Sequence, residues 1–434
     1  MIAQILFFIC TAAAIALFSK NVAKVRRNIL LGKPEDRSDR PMDRLKTMLR
    51  VAFGQSKMTK RPVAAILHFF VYAGFIIINI EVLEIIIDGL FGTHRVFARP
   101  LGPVYNALIG SFEILALLVL VACIIFLIRR NLLKLRRFSG TEMTHWPKSD
   151  ANYILIIEIL LMSAFLKMNA ADYLLQQQGH PHYIQAGAFP VSQYLAMLMP
   201  SNNPAFLIFV ERTTWWFHIL GILAFLNYLP YSKHFHILLA FPNTWYSKLQ
   251  PKGEFNNMPS VTNEVKAMLD PTFTPLPVVE GSKFGAKDVE DLSWKNLMDA
   301  YTCTECGRCT SVCPANLTGK LLSPRKIMMD TRDRLAEVGH NIDKQGKDFQ
   351  DGKSLLDNYI SREEIWACTT CNACTEACPV NIDPLAIIVE LRRFSVMEEA
   401  QAAASLNNMF GNIENNGAPW KYAPSDRFNW SKND

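Results

Sequence analysis

Long apolar runs alternate with short polar segments over the first 240 residues, and no comparable run follows them. Five runs are long enough to cross a bilayer, which takes about 20 helical residues. They are residues 2–19, 62–90, 105–129, 152–175 and 205–232. The first run lacks a basic start and a small-residue cleavage site, so we interpret it as a span and not as a signal peptide. The pattern therefore predicts a five-helix transmembrane bundle within residues 1–240.

The remaining sequence reads as water-soluble and helical. Residues 241–295 are rich in proline, asparagine and charge and are predicted to be a linker. Residues 296–405 contain helical segments, one of them from Leu385 to about Ala404, with Asp383 as its N-cap and Pro384 at its first position. Residues 406–434 have no core-forming period and are predicted to be an extended tail. The predicted fold class is therefore all-α.

Lysine and arginine concentrate in two polar segments, residues 20–61 and 129–148, whereas residues 91–104 have two arginines and residues 176–204 have no basic residue. Positive loops stay in the cytoplasm. We therefore expect a multi-pass protein of the bacterial inner membrane with its soluble half on the cytoplasmic side. The net charge of +6 is explained by these loops, so binding to nucleic acid is not expected.

Eight of the ten cysteines form two runs with the same spacing, C-x₂-C-x₂-C-x₃-C-P. Three thiolates at this spacing let one loop hold three corners of an iron–sulfur cubane, and the fourth cysteine reaches the other cluster in two-cluster ferredoxins. The sequence therefore predicts two [4Fe–4S] clusters. One has the ligands Cys303, Cys306, Cys309 and Cys378, and the other has Cys368, Cys371, Cys374 and Cys313.

Two Cys₄ zinc sites are the alternative for these cysteines. Zinc sites usually pair two separated C-x₂-C knuckles, which does not fit this spacing. Cys10 and Cys123 lie in apolar runs and are interpreted as small buried residues. No nucleotide-binding glycine pattern, nucleophile or general acid is apparent in the soluble half. The chain is thus expected to be an oxidoreductase subunit without catalytic residues of its own.

Histidines within apolar helices are candidate haem ligands. His68 lies near the cytoplasmic end of the second span, His218 lies in the fifth span, and His236 follows Pro230 at its end. His218 and His236 are eighteen residues apart, so they share one face, about 27 Å apart, if the helix continues past Pro230. His234 then points away. These histidines are otherwise core or interface residues, but the similar depth of His68 and His236 favours a b haem between them.

Ionisable residues also occur in the outer halves or ends of the spans, where most are interpreted as solvated at the interface. They are Glu81, Glu84, Glu113, Lys167, Asp172, Glu211 and Arg212. Glu211 and Arg212 adjoin a tryptophan pair and His218. They are the candidate contacts for a quinone or for haem propionates.

Residues 215–236 resemble the last core helix of the cytochrome b subunit of respiratory nitrate reductases and of the related heterodisulfide reductase membrane subunit. In that family two histidines at this spacing each bind one of two b haems, and a partner helix supplies two more, ten residues apart. His68 matches the first partner position, but the second position is Ile78. The resemblance implies a haem between His68 and His236 and leaves a second haem with His218 alone. A single haem between His68 and His218 is the other arrangement.

Residues 290–434 resemble the iron–sulfur part of heterodisulfide reductase-like and anaerobic glycerol-3-phosphate dehydrogenase-like subunits, and the cluster domain of succinate dehydrogenases. The tail matches that family through Asn412, Glu414, Asn415, Gly417, Pro419, Trp420, Arg427 and Trp430. There the chain or complex continues into catalytic Cys-Cys-Gly domains, whereas this sequence has no Cys-Cys pair. The resemblance therefore implies a catalytic subunit on another chain, of the Cys-Cys-Gly type or linked to an electron-transferring flavoprotein.

The sequence thus indicates an electron-transfer subunit that connects a cytoplasmic redox partner with the quinone pool through two clusters and b haem. Two alternatives remain open. One is a membrane-tethered ferredoxin without haem or quinone chemistry, and the other is a zinc-stabilised membrane scaffold.

Overall fold

The computed structural model describes residues 1–133, 135–200, 202–277 and 283–432, and within these ranges the chain is helical without a β-strand. The chain divides into two compact units. The first unit comprises Met1–Arg27, Arg40–Trp245 and Tyr301–Gly307. The second unit comprises Asn28–Asp39, Tyr246–Ala300 and Arg308–Asp434. The all-α prediction is confirmed.

Five long apolar helices dominate the first unit and confirm the predicted spans. They are α1 (Ile2–Ile29), α2 (Pro62–Phe91), α3 (Pro103–Leu127), α4 (Trp146–Gln177) and α5 (Pro204–Tyr228). Three of them begin with proline, whose fixed φ and missing N–H suit the first helical position. Asn203 caps α5, and its side-chain oxygen accepts a hydrogen bond of 3.1 Å from the amide of Phe206.

The core of the first unit lies between α2, α3, α4 and α5, and its centre is formed by Phe112, Phe165 and Ile219, each at most 1% exposed. Close packing of α4 and α5 depends on Gly221, because an added Cβ there would lie 2.6 Å from Leu161 Cδ2. Burial of such side chains contributes about 1.5–3 kcal/mol each in water. Between membrane helices this close packing is itself the main attraction.

The fifth span does not continue as one helix past Pro230, so the prediction of a shared face for His218 and His236 is wrong. After α5, Leu229–Tyr231 forms a short 3₁₀ turn, and Ser232 adopts an extended conformation. Lys233–Phe235 forms another 3₁₀ turn, and α6 (His236–Trp245) then begins. Proline interrupts the helix because it lacks an N–H and its ring clashes with the preceding turn. The sequence separation between the two histidines therefore gives neither their distance nor their relative direction.

The second unit contains shorter helices: α7 (Pro259–Leu269), α8 (Trp294–Thr302), α9 (Pro324–Gln345), α10 (Pro384–Met397) and α11 (Ala404–Asn416). Helix α9 packs on α10 around fully buried Leu335, Ile387 and Leu391. The predicted N-cap of α10 is confirmed, since Asp383 Oδ1 accepts hydrogen bonds from the amides of Leu385 and Ala386. The helix ends at Met397, earlier than expected.

The stretches predicted as linker and as extended tail both contain helices. Residues 241–295 include α7 and the first residues of α8, and residues 406–434 include most of α11. Helix α11 has no buried residue and ends at Gly417 in the left-handed conformation. Its apolar residues Leu406, Met409, Phe410 and Ile413 recur at i, i+3, i+4 and i+7, a helical period that the prediction of an extended tail overlooked. Residues 278–282 and 433–434 of these stretches lie outside the described residues.

Candidate electron-transfer site

The two cysteine loops repeat the same backbone conformation. Glu305 and Gly307 have positive φ in the first loop, and Thr370 and Asn372 have it in the second, at equivalent positions relative to the leading cysteine. Left-handed residues turn the chain sharply, which lets consecutive amides point to one side and form an anion-binding concavity. The internal repeat seen in the cysteine spacing therefore extends to the local fold.

Backbone amides point at the cysteine sulfurs in the second unit. The amide of Thr370 donates to Cys368 Sγ at 3.4 Å, and the amide of Ile382 donates to Cys378 Sγ at 3.3 Å. The Arg392 guanidinium donates to the carbonyls of Ile365 and Cys368 and brings a positive charge beside this loop. Amide hydrogen bonds and nearby charge tune the potentials of iron–sulfur clusters.

Four of the predicted ligands come together within the second unit. Burial raises the pKa of the Cys368 thiol, and the charges of Cys313 and Cys371 raise it further. Burial also raises the pKa of Cys374 to about 12, with a contribution from Cys368. The helical segment that contains Cys374 packs against the turn that precedes Cys313. Cys313, from the first cysteine run, thus lies close to the three cysteines of the second run.

The other four predicted ligands are divided between the two units. Cys303 and Cys306 belong to the first unit, and Cys309 and Cys378 belong to the second. Their assignment to one cluster stays a prediction. Within the described ranges, no group of three or more His, Cys, Asp or Glu side chains is arranged to hold a single metal ion.

A buried ion pair anchors the first cysteine loop to the end of the fifth span. The Lys233 ammonium pairs with Glu305, which lies between Cys303 and Cys306, and it donates to the carbonyl of Pro147 at 2.5 Å. The side chains of Lys233 and Glu305 are only 8% and 2% exposed. Burial lowers the pKa of Lys233, whereas Glu305 opposes this effect. The pair therefore fixes the position of the cysteine loop within the first unit.

Replacing Lys233 by methionine is expected to destabilise the protein strongly. Loss of one partner of a buried ion pair typically costs about 3–5 kcal/mol, and Asp150, whose Oδ2 lies 3.8 Å from the Lys233 ammonium, loses the same cation. Thermal unfolding of the detergent-purified chain measures the loss. The double variant Lys233→Met/Glu305→Gln removes both charges and is expected to recover much of the stability. A double variant as unstable as the single variant would refute the proposed role of the pair.

Three histidines lie near one another where α2 meets the segment before α6. The rings of His234 and His236 have centroids 5.5 Å apart. Burial lowers the pKa of His234 to about 3, and the charges of His236 and His68 contribute to this shift. His68 and His236 are therefore both close to His234. The sequence prediction that His234 points away assumed a continuous helix, and it is wrong because the chain turns at Ser232.

Hydrogen bonds fix the rings of the predicted haem ligands. The Nδ1 atom of His236 donates to the carbonyl of Lys233 at 3.0 Å, and that of His68 donates to Gln55 Oε1 at 3.1 Å. In both rings the lone pair then lies on Nε2, and histidines that bind metals usually donate their other ring N–H in this way. The tautomers of both rings therefore suit haem iron.

Aromatic contacts independently connect these segments. Phe53 packs against Tyr72 of α2 and against Phe241 of α6, with ring centroids 6.4 Å apart in each case. Tyr72 lies one helical turn after His68, and its buried hydroxyl has no hydrogen-bond partner among the described residues. A buried hydroxyl normally has a partner. A polar group such as a haem propionate would supply one, so these residues fit the cofactor.

His218 has a different environment. Its side chain is buried, its Nδ1 atom donates to the carbonyl of Leu161 at 3.0 Å, and its ring lies 5.7 Å from that of Phe165. Ile78, at the position where the nitrate reductase family has a further histidine, is part of the apolar core. His218 thus has the tautomer of a ligand but an apolar setting.

Most of the ionisable residues in the outer halves of the spans are buried, so their interpretation as solvated interfacial groups is wrong. Glu81, Glu84, Glu113, Asp172 and Glu211 are at most 3% exposed. Most of them have partners that come largely from the loops, which the sequence pattern does not reveal. Arg95, after α2, binds Asp172 at 2.6 Å. The amides of residues 191 and 192 donate to Glu113.

Glu211 and Arg212 line a cavity of about 370 Å³ in the first unit. Glu211 pairs with Arg212 and accepts a hydrogen bond of 2.9 Å from the hydroxyl of Tyr183. Arg212 also lies over the ring of Trp215, at 5.3 Å. The two residues predicted as quinone or propionate contacts are therefore part of one pocket, together with Trp215 and Trp216.

Fold and sequence together define an iron–sulfur electron-transfer protein of the membrane. Residues 302–382 match the family of 4Fe-4S dicluster domains, which includes all eight cysteines of the two runs. Among the residues that the structure describes, five helices are long and apolar enough to cross a membrane. The prediction of an iron–sulfur protein is confirmed, and the zinc scaffold is not supported.

The chain is similar along its length to two curated proteins. It is 30% identical to the probable iron-sulfur-binding oxidoreductase FadF of Bacillus subtilis, over 98% of this chain and 60% of FadF. It is 26% identical to the EtfAB:quinone oxidoreductase of Syntrophomonas wolfei, over 92% of this chain and 56% of that protein. The chain thus spans less than two thirds of the length of both relatives.

The cluster region has further relatives. One of the subunits of a CoB-CoM heterodisulfide reductase from Methanosarcina acetivorans is 34% identical over 23% of this chain and 49% of its own length. The resemblance to heterodisulfide reductase-like membrane iron–sulfur proteins is thereby confirmed. No solved structure matches the chain.

Proposed function

We propose that this chain carries electrons between a soluble redox partner and a quinone in the membrane, with two [4Fe–4S] clusters and one b haem. The main support is a continuous series of contacts within the first unit. His236 donates to the carbonyl of Lys233, and the Lys233 side chain reaches Glu305 between Cys303 and Cys306. A candidate haem ligand and the first cysteine loop are thus joined through a single residue.

The eight cysteines would hold the clusters, and His68 and His236 would hold the haem. When bound, these groups supply the one-electron centres that electron transfer requires. The protein contributes the amide donors at Cys368 and Cys378, the charge of Arg392 and the fixed histidine tautomers. Proximity of Cys313 to Cys368 supports an exchange of the fourth ligand between the two cysteine runs.

The membrane orientation and the partner are also proposals. The basic segments predict that the second unit and the His68 end of α2 face the bacterial cytoplasm. The similarity to an EtfAB:quinone oxidoreductase supports an electron-transferring flavoprotein or a Cys-Cys-Gly-type protein as the soluble partner. The quinone would bind in the cavity beside Glu211 and Arg212.

Electron transfer in proteoliposomes tests this function. The full-length chain, photoreduced through a deazaflavin, is expected to reduce its b haem and then to reduce decyl-quinone in the bilayer. His236→Ala is expected to retain the iron of its clusters and to lose at least about 10²-fold in quinone reduction, because a one-electron centre is removed from the path. A variant that reduces quinone at the wild-type rate would refute the haem relay and favour a tethered ferredoxin.

A further inference from the structure

Two buried polar atoms without hydrogen-bond partners among the described residues belong to residues that line the same cavity. They are Glu81 Oε2 and His94 Nδ1. The side chain of Glu81 is 3% exposed and that of His94 is 10% exposed. An unsatisfied buried polar atom is costly, and it calls for a ligand, a water or a catalytic role. Two such atoms in one pocket indicate a ligand with two polar positions.

The other charged groups around Glu81 already have partners. Arg95 binds Asp172, Asn169 and the hydroxyl of Tyr105, and its Nη1 atom is 4.0 Å from Glu81 Oε1. Glu84 accepts hydrogen bonds from the hydroxyl of Tyr105 and the amide of residue 97. Glu113 accepts from Asn169 and two backbone amides. Glu81 is therefore the carboxylate of this group that has an oxygen, Oε2, without a hydrogen-bond partner among the described residues.

The orientation of His94 makes its Nδ1 atom a proton acceptor. Its Nε2 atom is 3.2 Å from Asp172 Oδ1, so the carboxylate holds the proton on Nε2. Its ring packs against those of Tyr183 and His182, at 5.1 and 5.7 Å. When Nδ1 takes up a proton, Asp172 stabilises the resulting imidazolium, as an acidic partner does for catalytic histidines.

Size and charge indicate what kind of ligand the cavity takes. Its volume of about 370 Å³ lies near the lower end of the range for small-molecule pockets, about 300–1,000 Å³, and suits one ring system. Carboxylates outnumber guanidinium groups in its lining, and both Arg95 and Arg212 are paired. A propionate or phosphate would meet net repulsion. A neutral ring with two oxygens fits, and Phe7, Trp215 and Trp216 supply an aromatic wall.

We propose that Glu81 and His94 exchange the two protons of a quinone headgroup bound in this cavity, an inference that rests on the proposed function. In the oxidative direction one hydroxyl of the quinol gives its proton to Glu81 Oε2 and the other gives its proton to His94 Nδ1. Both C–O bonds become carbonyls, and two electrons leave, one at a time, to the haem and cluster centres. Quinone reduction is the same reaction reversed, with the protons returned from the carboxylic acid and the imidazolium.

The test separates binding from turnover in the full-length chain. Decyl-quinone is expected to quench the fluorescence of Trp215 and Trp216, so titration in proteoliposomes measures its affinity directly. Glu81→Gln and His94→Asn keep similar shapes but lose the proton acceptor. Each is expected to bind decyl-quinone within about twofold of wild type and to reduce it at least about 10²-fold more slowly, the usual contribution of acid–base catalysis.

Glu158→Gln is the matched control, since it neutralises a carboxylate of α4 that does not line the cavity. It is expected to bind and reduce decyl-quinone as wild type does. Iron and haem contents equal to wild type verify that each variant is folded. Normal turnover in both Glu81→Gln and His94→Asn would overturn the inference and leave the proposed function intact. Loss of binding without a further loss of turnover at saturation would also overturn it. Wild-type protein without quinone reduction would instead refute the proposed function.

Discussion

Replacing Cys313 by serine is expected to remove the cluster that the second cysteine run holds through Cys368, Cys371 and Cys374. The cluster of the first run, to which Cys313 belongs in sequence, is expected to remain. Cys313 lies close to Cys368, and the amide donors and positive charge of the second loop surround that position. The loss of one thiolate from a cubane opens a corner to solvent and lowers its stability. Non-haem iron per chain should fall by about half, from about eight atoms to about four. Iron and sulfide analysis with EPR spectroscopy of the reduced chain measures this change.

Two further variants decide which cluster is lost. Cys371→Ser removes a ligand of the second run, and Cys306→Ser removes one of the first. The EPR spectrum of Cys313→Ser should match that of Cys371→Ser and differ from that of Cys306→Ser. Cys10→Ser is the control, because Cys10 lies in α1 outside both runs. A Cys313→Ser spectrum that matches Cys306→Ser would show that each run holds its own cluster.

His236→Ala is expected to abolish b-haem binding. The ring of His236 is held by the Lys233 carbonyl with Nε2 available, and it lies close to His234 and through it to His68. Without His236 the chain would keep only one of the two histidines that would hold the haem, and most of the binding energy of the cofactor would be lost. Haem per chain in the pyridine haemochrome assay should fall at least about tenfold, and His68→Ala should have the same effect.

Two other histidines serve as controls for the haem assignment. His218→Ala should retain the haem, because His218 lies in an apolar environment with Leu161 and Phe165. His340→Ala changes an exposed residue of α9 and should retain both haem and clusters. Loss of haem in His218→Ala together with normal haem in His236→Ala would show that the pair is His68 and His218.

The sequence predicts those parts of the protein that depend on local pattern. Apolar length fixes the five spans, and the start of α10 follows from the capping oxygen of Asp383 and the proline after it. The repeated cysteine spacing predicts two equivalent loops, and both loops have left-handed residues at equivalent positions, Glu305 and Thr370 among them. Each of these features is set by residues within a few positions of one another, so one sequence suffices to find it.

Features that depend on contacts between residues far apart in the sequence could not be predicted from local patterns. The break at Ser232 decides where His234 lies, and proline alone does not tell whether a helix bends or stops. Glu84 and Asp172 look like interfacial acids in the sequence, but Tyr105 donates a hydrogen bond to Glu84 and Arg95 pairs with Asp172. Likewise, nothing in the sequence around Lys233 indicates that its side chain pairs with Glu305, which is 72 residues away along the chain. A histidine or acid near a span end, followed by a short loop that contains an arginine, is the signal that points to such buried sites.

Iron–sulfur content measured on the intact chain is the most direct test that its two cysteine runs together hold a pair of cubane clusters. Mössbauer spectroscopy with iron and sulfide analysis of anaerobically purified protein should find about eight non-haem irons and about eight sulfides per chain, with all of the non-haem iron in [4Fe–4S] form. EPR of the reduced protein should show two centres that interact magnetically, as expected if their loops exchange a ligand. Zinc in place of iron, or a single cluster per chain, would contradict the claim that the two cysteine runs hold a pair of cubane clusters.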